Sequence, residues 1–107
     1  MLILDSTASN GSTFLIRVTF ADESGNPVVP DSILWTLTDS DDEIVNLRED
    51  VEVTPPEASI VIVLQGDDIA LSGTGREIRT LTVNAEYTSS TYGAGLPLVE
   101  SASFYVE

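Results

Sequence analysis

The sequence predicts an all-β fold, an antiparallel β-sandwich of about seven strands. Three observations predict it. Several segments alternate apolar and polar residues strictly, the period of a strand with one face buried. Clusters of Gly, Pro, Asn, Asp and Ser recur between these segments and mark turns. No helical period runs beyond one turn. The 107 residues, 42% of them apolar, are read as a single domain over positions 1–107, with enough apolar content for one core.

Taken in order, the segment Met1 to Leu4 is apolar and reads as a weak strand at 2–4. "TFLIRVTFA" places Phe14, Ile16, Val18 and Phe20 on one face and Thr13, Leu15, Arg17 and Thr19 on the other. Gly25-Asn26-Pro27 then turns the chain. "SILWTLT" points Ile33, Trp35 and Leu37 inward, with Trp35 as an aromatic of the core. After "DSDDE" a strand is expected at 43–47, and a weaker one at 50–53. Pro55-Pro56 breaks any ladder. "SIVIVLQ" is a continuous apolar run and is expected to be covered on both faces or to lie near a sheet centre. Asp67 is expected to cap a single helical turn ending near Leu71. "REIRTLTVNAEY" sends Leu81, Val83, Ala85 and Tyr87 to the core, "TSSTYGAGLPLVE" reads as a loop, and "SASFYVE" closes with Ala102, Phe104 and Val106 inward. The main strands are thus expected at 13–21, 32–38, 43–47, 58–65, 77–87 and 99–106.

Composition excludes much chemistry. Without cysteine there is no disulfide and no thiolate nucleophile or metal ligand. Without histidine there is no imidazole base and no catalytic triad, and without lysine no Schiff base or P-loop. A pair of carboxylates working as a glycosidase remains formally open, but that chemistry needs a larger cleft than a chain of this size builds. The expectation is therefore a protein that is not an enzyme.

Eighteen acidic residues against four arginines give a net charge of −14. A polyanion repels nucleic acid and anionic membrane surfaces, so neither is an expected partner. No apolar run approaches the roughly 20 residues of a membrane span. The N-terminal stretch lacks the basic segment of a secretory signal.

Asp39, Asp41, Asp42 and Glu43 crowd five positions. Short acidic side chains hydrogen-bond nearby backbone N–H groups, so the cluster reads as a solvated hairpin turn. Its other reading is a calcium loop, since alternate carboxylates can wrap a hard cation. The sixth position is Ile44 where a calcium loop of the EF-hand type wants glycine. No cofactor is expected otherwise.

The stretch "IRVTFADESGNPVVPDSILWTLTDSDDEIV" resembles the opening of bacterial and phage immunoglobulin-like domains. Val18, Asp22, Gly25, Asn26, Pro27, Val28, Ile33, Trp35 and Leu37 carry the match. The C-terminal "LTVNAEYTSSTYGAGLPLVESASFYVE" is similar in general look to small structural proteins of tailed phages. The resemblance implies an immunoglobulin-like sandwich serving as a virion component, in capsid decoration, neck or tail. It implies a self-contained subunit made in the host cytoplasm, with other virion proteins or copies of itself as partners. The alternative is a binding module for carbohydrate or a cell surface, helped by calcium at the acidic turn.

Contact residues are expected at two places. Leu2 and Leu4 share one face of the N-terminal segment, which can add a strand to its own sheet or to a neighbour's. Tyr92, Leu96 and Leu98 lie in a loop of small residues that is either a loose connector or a contact surface.

Overall fold

Alternation in the sequence becomes alternation in burial. In the computed structural model, which describes residues 2–4 and 6–107, β3 (Ser32–Thr38) buries Ile33, Trp35 and Leu37 and leaves the residues between them half-buried or exposed. The other strands are β1 (Leu2–Ile3), β2 (Thr13–Thr19), β4 (Val51–Glu52), β5 (Ser59–Gln65), β6 (Glu77–Ser89) and β7 (Gly93–Val106). One 3₁₀ turn, Gly66–Ile69, follows β5.

The strands form a five-stranded sheet in the order β1-β7-β6-β3-β4 and a two-stranded sheet of β2 and β5. The pairing of β2 with β5, against a sheet holding β3, β6 and β7, is the strand partition of an immunoglobulin-like sandwich. All pairs are antiparallel except β1 with β7. Leu2 aligns with Ala102 and Ile3 with Ser103, so the N-terminal segment adds to its own sheet.

The core lies between the sheets. Ile16, Ile60, Ile62 and Leu64 come from the small sheet; Ile33, Leu37, Leu81, Val83, Phe104 and Val106 come from the large one. The rings of Phe14 and Phe104 stack across the interface with centroids 4.7 Å apart.

Four expectations are corrected. The segment 43–47 is not a strand. After a single bridge from Ile44 to Thr38, Asn46 and Leu47 take positive φ of 52° and 58°. The chain leaves extended geometry there, and Asn46 and Arg48 both hydrogen-bond Asp68. Next, β5 is covered on one face only: Val61 and Val63 are exposed, because nothing among the described residues lies over the outer face of the small sheet. The turn after β5 is not capped by Asp67. Gln65 stands at its N-cap, and the Asp68 carboxylate accepts from the Gln65 N–H. Finally, the loop expected between Tyr87 and Val99 is a hairpin, because β7 begins at Gly93. Pro97 sits mid-strand without breaking it. The Ser103 and Tyr105 carbonyls accept from Leu4 and Ala8, so odd-numbered residues of β7 point their backbone groups away from β6. Pro97 shares that parity, and its missing N–H falls on the outer edge, where proline is tolerated.

Candidate interaction surface

The acidic turn is built from its first residue. Asp39 Oδ1 accepts from the N–H groups of Asp41 and Glu43, at 2.8 and 3.1 Å. The Asp39 backbone closes the turn on Glu43. One carboxylate is thus spent on the loop itself, while Asp41, Asp42 and Glu43 lie exposed. Among the described residues no three acidic side chains come together as a metal ligand set. A polar depression of about 460 Å³ beside this turn is lined by Asp39 and Asp41 together with Arg76, Glu77, Arg79 and Tyr105.

Its charges are largely matched internally. Arg79, an inward residue of β6 that is 5% exposed, donates from Nη2 to the Ala70 carbonyl and to Glu77, and from Nη1 to the Ile78 carbonyl. Glu77 also accepts from Ser72 N–H, Ser72 Oγ and Gly73 N–H. These bonds, with Ser72's the foremost, hold its carboxyl below the ordinary range against the opposing effect of burial. Arg76 lies over the Tyr105 ring at 4.1 Å, so Tyr105 is covered rather than free.

The hairpin of β6 and β7 is firmly held at its base. Tyr87 Oη donates to Glu23 at 2.9 Å, Ser89 Oγ to the same carboxylate at 3.1 Å, and Thr88 Oγ1 to Asp31 at 2.7 Å. Ser89 Oγ in turn accepts from the N–H groups of Thr91 and Tyr92 in the three-residue connection. A bulge sets Ala94 and Gly95 against Thr88, and Gly95 takes the positive φ of 73° that suits glycine there. Tyr92 stands at the tip, 67% exposed. Burial first, then the hydrogen bond and charge of Glu23, push the Tyr87 phenol above its usual pKa of 10.0. The folded state therefore favours the neutral phenol. That contribution is complete below about pH 10 and lost as the pH rises through the raised pKa. A Tyr87→Phe variant should show a flatter alkaline limb in thermal melts between about pH 9 and 12 than the parent does.

The expected contact residues distribute unevenly. Leu2 pairs with β7 through its backbone, and its side chain lies outside the described residues. Leu4 and Leu98 are half-buried and pack on the core. Leu96 is half-buried on the hairpin, and Tyr92 is open to solvent. Sequence reasoning missed the outer face of the small sheet, where Leu15 aligns with Val63 and both are exposed beside Val61. It also missed Val99, 62% exposed on the outer face of β7.

An apolar groove of about 330 Å³ runs between β2 and β7. Ile16, Val18, Leu81, Val83, Ala102 and Leu4 line it, with Arg17 and Glu100 at its rim. The backbone beside it is unpaired. Phe20 N–H bonds to the Ala58 carbonyl and Gly66 N–H to the Ser12 carbonyl, so even-numbered residues of β2 face β5. Thr13, Leu15, Arg17 and Thr19 direct their N–H and C=O groups to the open edge. No protein-family model matches the chain, and no curated protein or solved structure matches it either.

Proposed function

We infer that the protein is a non-enzymatic structural and interaction subunit, a small phage virion component acting in capsid decoration, neck or tail. The observation that carries an interaction role is the set of exposed apolar side chains on strand surfaces: Leu15, Val61 and Val63 on the small sheet, and Tyr92 and Val99 on the hairpin. Side chains of this kind, beside an open strand edge, favour docking onto another protein. The acidic exterior, at net charge −14, keeps the free subunit from random association. The placement in a virion rests on the resemblance of the N-terminal stretch to bacterial and phage immunoglobulin-like domains and of the C-terminal "LTVNAEYTSSTYGAGLPLVESASFYVE" to small structural proteins of tailed phages.

The grooves are shallow and open, and their charged residues are either spent on internal bonds or spread along rims, which favours surface contact over turnover. Immunogold labelling of purified tailed-phage particles, with antibody raised against the chain, tests the assignment. Gold at regular positions on capsid, neck or tail is the expected result. Particles free of label and of the chain by mass spectrometry would remove the virion assignment. The carbohydrate-module alternative depends on calcium at Asp39, Asp41, Asp42 and Glu43. It requires a saturable rise in Tm on calcium titration, and with Asp39 engaged by its own loop no such rise is expected.

A further inference from the structure

We propose that the groove between β2 and β7 is a strand-acceptor site, filled by an extended segment of a basic partner protein that pairs with β2 and sets a lysine or arginine against Glu100. The proposal rests on the interaction role inferred above and adds to it a site at the open edge of β2, apart from the exposed apolar side chains named there.

Three observations converge on it. The open edge of β2 offers the N–H and C=O groups of four alternate residues, Thr13 to Thr19, with no partner strand among the described residues. An added strand bonds to such an edge through its backbone and sends every second side chain inward. The space those side chains would enter is apolar, lined by Ile16, Val18, Leu81, Val83 and Ala102.

Glu100 supplies the third observation. It aligns with the buried Val83, so its side chain leaves β7 on the inward face, toward the groove. Its carboxylate has no ion pair or hydrogen bond among the described residues. A second copy would bring another charge of −14 and only four arginines, three of which, Arg48, Arg76 and Arg79, are already paired with carboxylates of their own chain. A basic segment meets both the local carboxylate and the field of the whole chain. Arg17 lies on the opposite face of β2 from Ile16 and Val18, so it neighbours the outward residues of the added strand.

The test uses two end-blocked peptides matched to the seven residues of β2, alternating valine and threonine. One carries lysine in place of its central valine, the other glutamate. Each is titrated into the uniformly ¹⁵N-labelled chain. The lysine peptide should shift the Thr13–Thr19 amides saturably, slow exchange at Leu15 and Arg17, and bind roughly tenfold tighter than the glutamate peptide. Glu100→Lys, a change at an exposed rim, should reverse that order.

Equal affinity for the two peptides, binding by neither, or shifts confined to other strands would overturn the proposal. So would light scattering that shows a dimer of the free chain protecting the same amides. Loss of peptide binding with gold still on the particles removes this site alone. Unlabelled particles with intact peptide binding remove the virion assignment alone.

Discussion

Replacing Asp68 with alanine should cost about 2–4 kcal/mol of folding stability, somewhat less than breaking a fully buried charge pair, because the Arg48 partner is 38% exposed. Asp68 is fully buried and holds three segments together. Its Oδ1 accepts from Arg48 Nε at 2.8 Å and from Asn46 Nδ2 at 2.9 Å, and its Oδ2 accepts from Gln65 N–H at 3.1 Å. The first two donors sit in the turn covering the edge of β3, where Arg48 also lies 5.9 Å over the Trp35 ring. The third ends β5 of the other sheet. One carboxylate therefore ties the two sheets together at one end of the sandwich. Alanine leaves the Gln65 N–H, the Asn46 amide and the Arg48 guanidinium without this shared acceptor. Asparagine keeps the volume but offers one acceptor where three donors converge, so Asp68→Asn should fall between parent and alanine.

The same network fixes a pH signature. Burial pushes the Asp68 carboxyl up, but the hydrogen bonds from Arg48, Asn46 and Gln65, with the Arg48 charge, outweigh it and hold the group below 3.8. A folded pKa below the unfolded one stabilises the fold at pH above the unfolded value. That contribution is lost as pH falls through the lowered pKa. Urea denaturation of parent and Asp68→Ala should give a full difference near pH 7 that narrows below about pH 4. A difference under about 1 kcal/mol at neutral pH would mean that the tie between the sheets is not made.

The contrast between Asp68 and the strands explains what the sequence reveals. Alternation at β2, β3 and β6 is a local pattern, and half-buried strands write it into consecutive residues. The Asp68 network is not local, because its partners lie 20 and 22 positions away. The available signal was Gln65 three residues before Asp68, the spacing of reciprocal capping; Asp67 already lies inside the turn, as its second residue.

The β6–β7 hairpin was obscured for a different reason. Gly95 occupies a bulge and Pro97 a position whose N–H would meet no strand, so residues that usually signal a loop are compatible with an edge. Val61 and Val63 misled in the opposite direction: an apolar run implies cover, and here cover from the chain itself is missing. The acidic turn at Asp39 was legible as a turn, since one Asp accepting two nearby N–H groups is a contact among neighbours in sequence, but the strand expected after it is reduced to a single bridge at Ile44.

Phe104→Ala should be comparably severe, at about 3–5 kcal/mol. Phe104 has no exposed surface. It comes from the large sheet and stacks on Phe14 of the small one at an interplanar angle of 27°, so its ring fills the space between the layers. Truncation removes the transfer energy of the ring, the stacking contact and the packing of everything around it. The cavity cannot collapse easily, because β7 is held by β6 on one side and by β1 on the other. For a domain near this size each kcal/mol moves Tm by about 4 °C or more, so Tm should fall by more than about 12 °C. Phe104→Leu keeps most of the volume and should cost less than half as much. Leu47 provides the internal control: it is equally apolar and lies in a segment that reads as a strand, yet it is 93% exposed. Leu47→Ala should change stability by less than about 0.5 kcal/mol. Were the two alanine variants to melt together, Phe104 would not lie between two packed sheets, and the sandwich itself would be wrong.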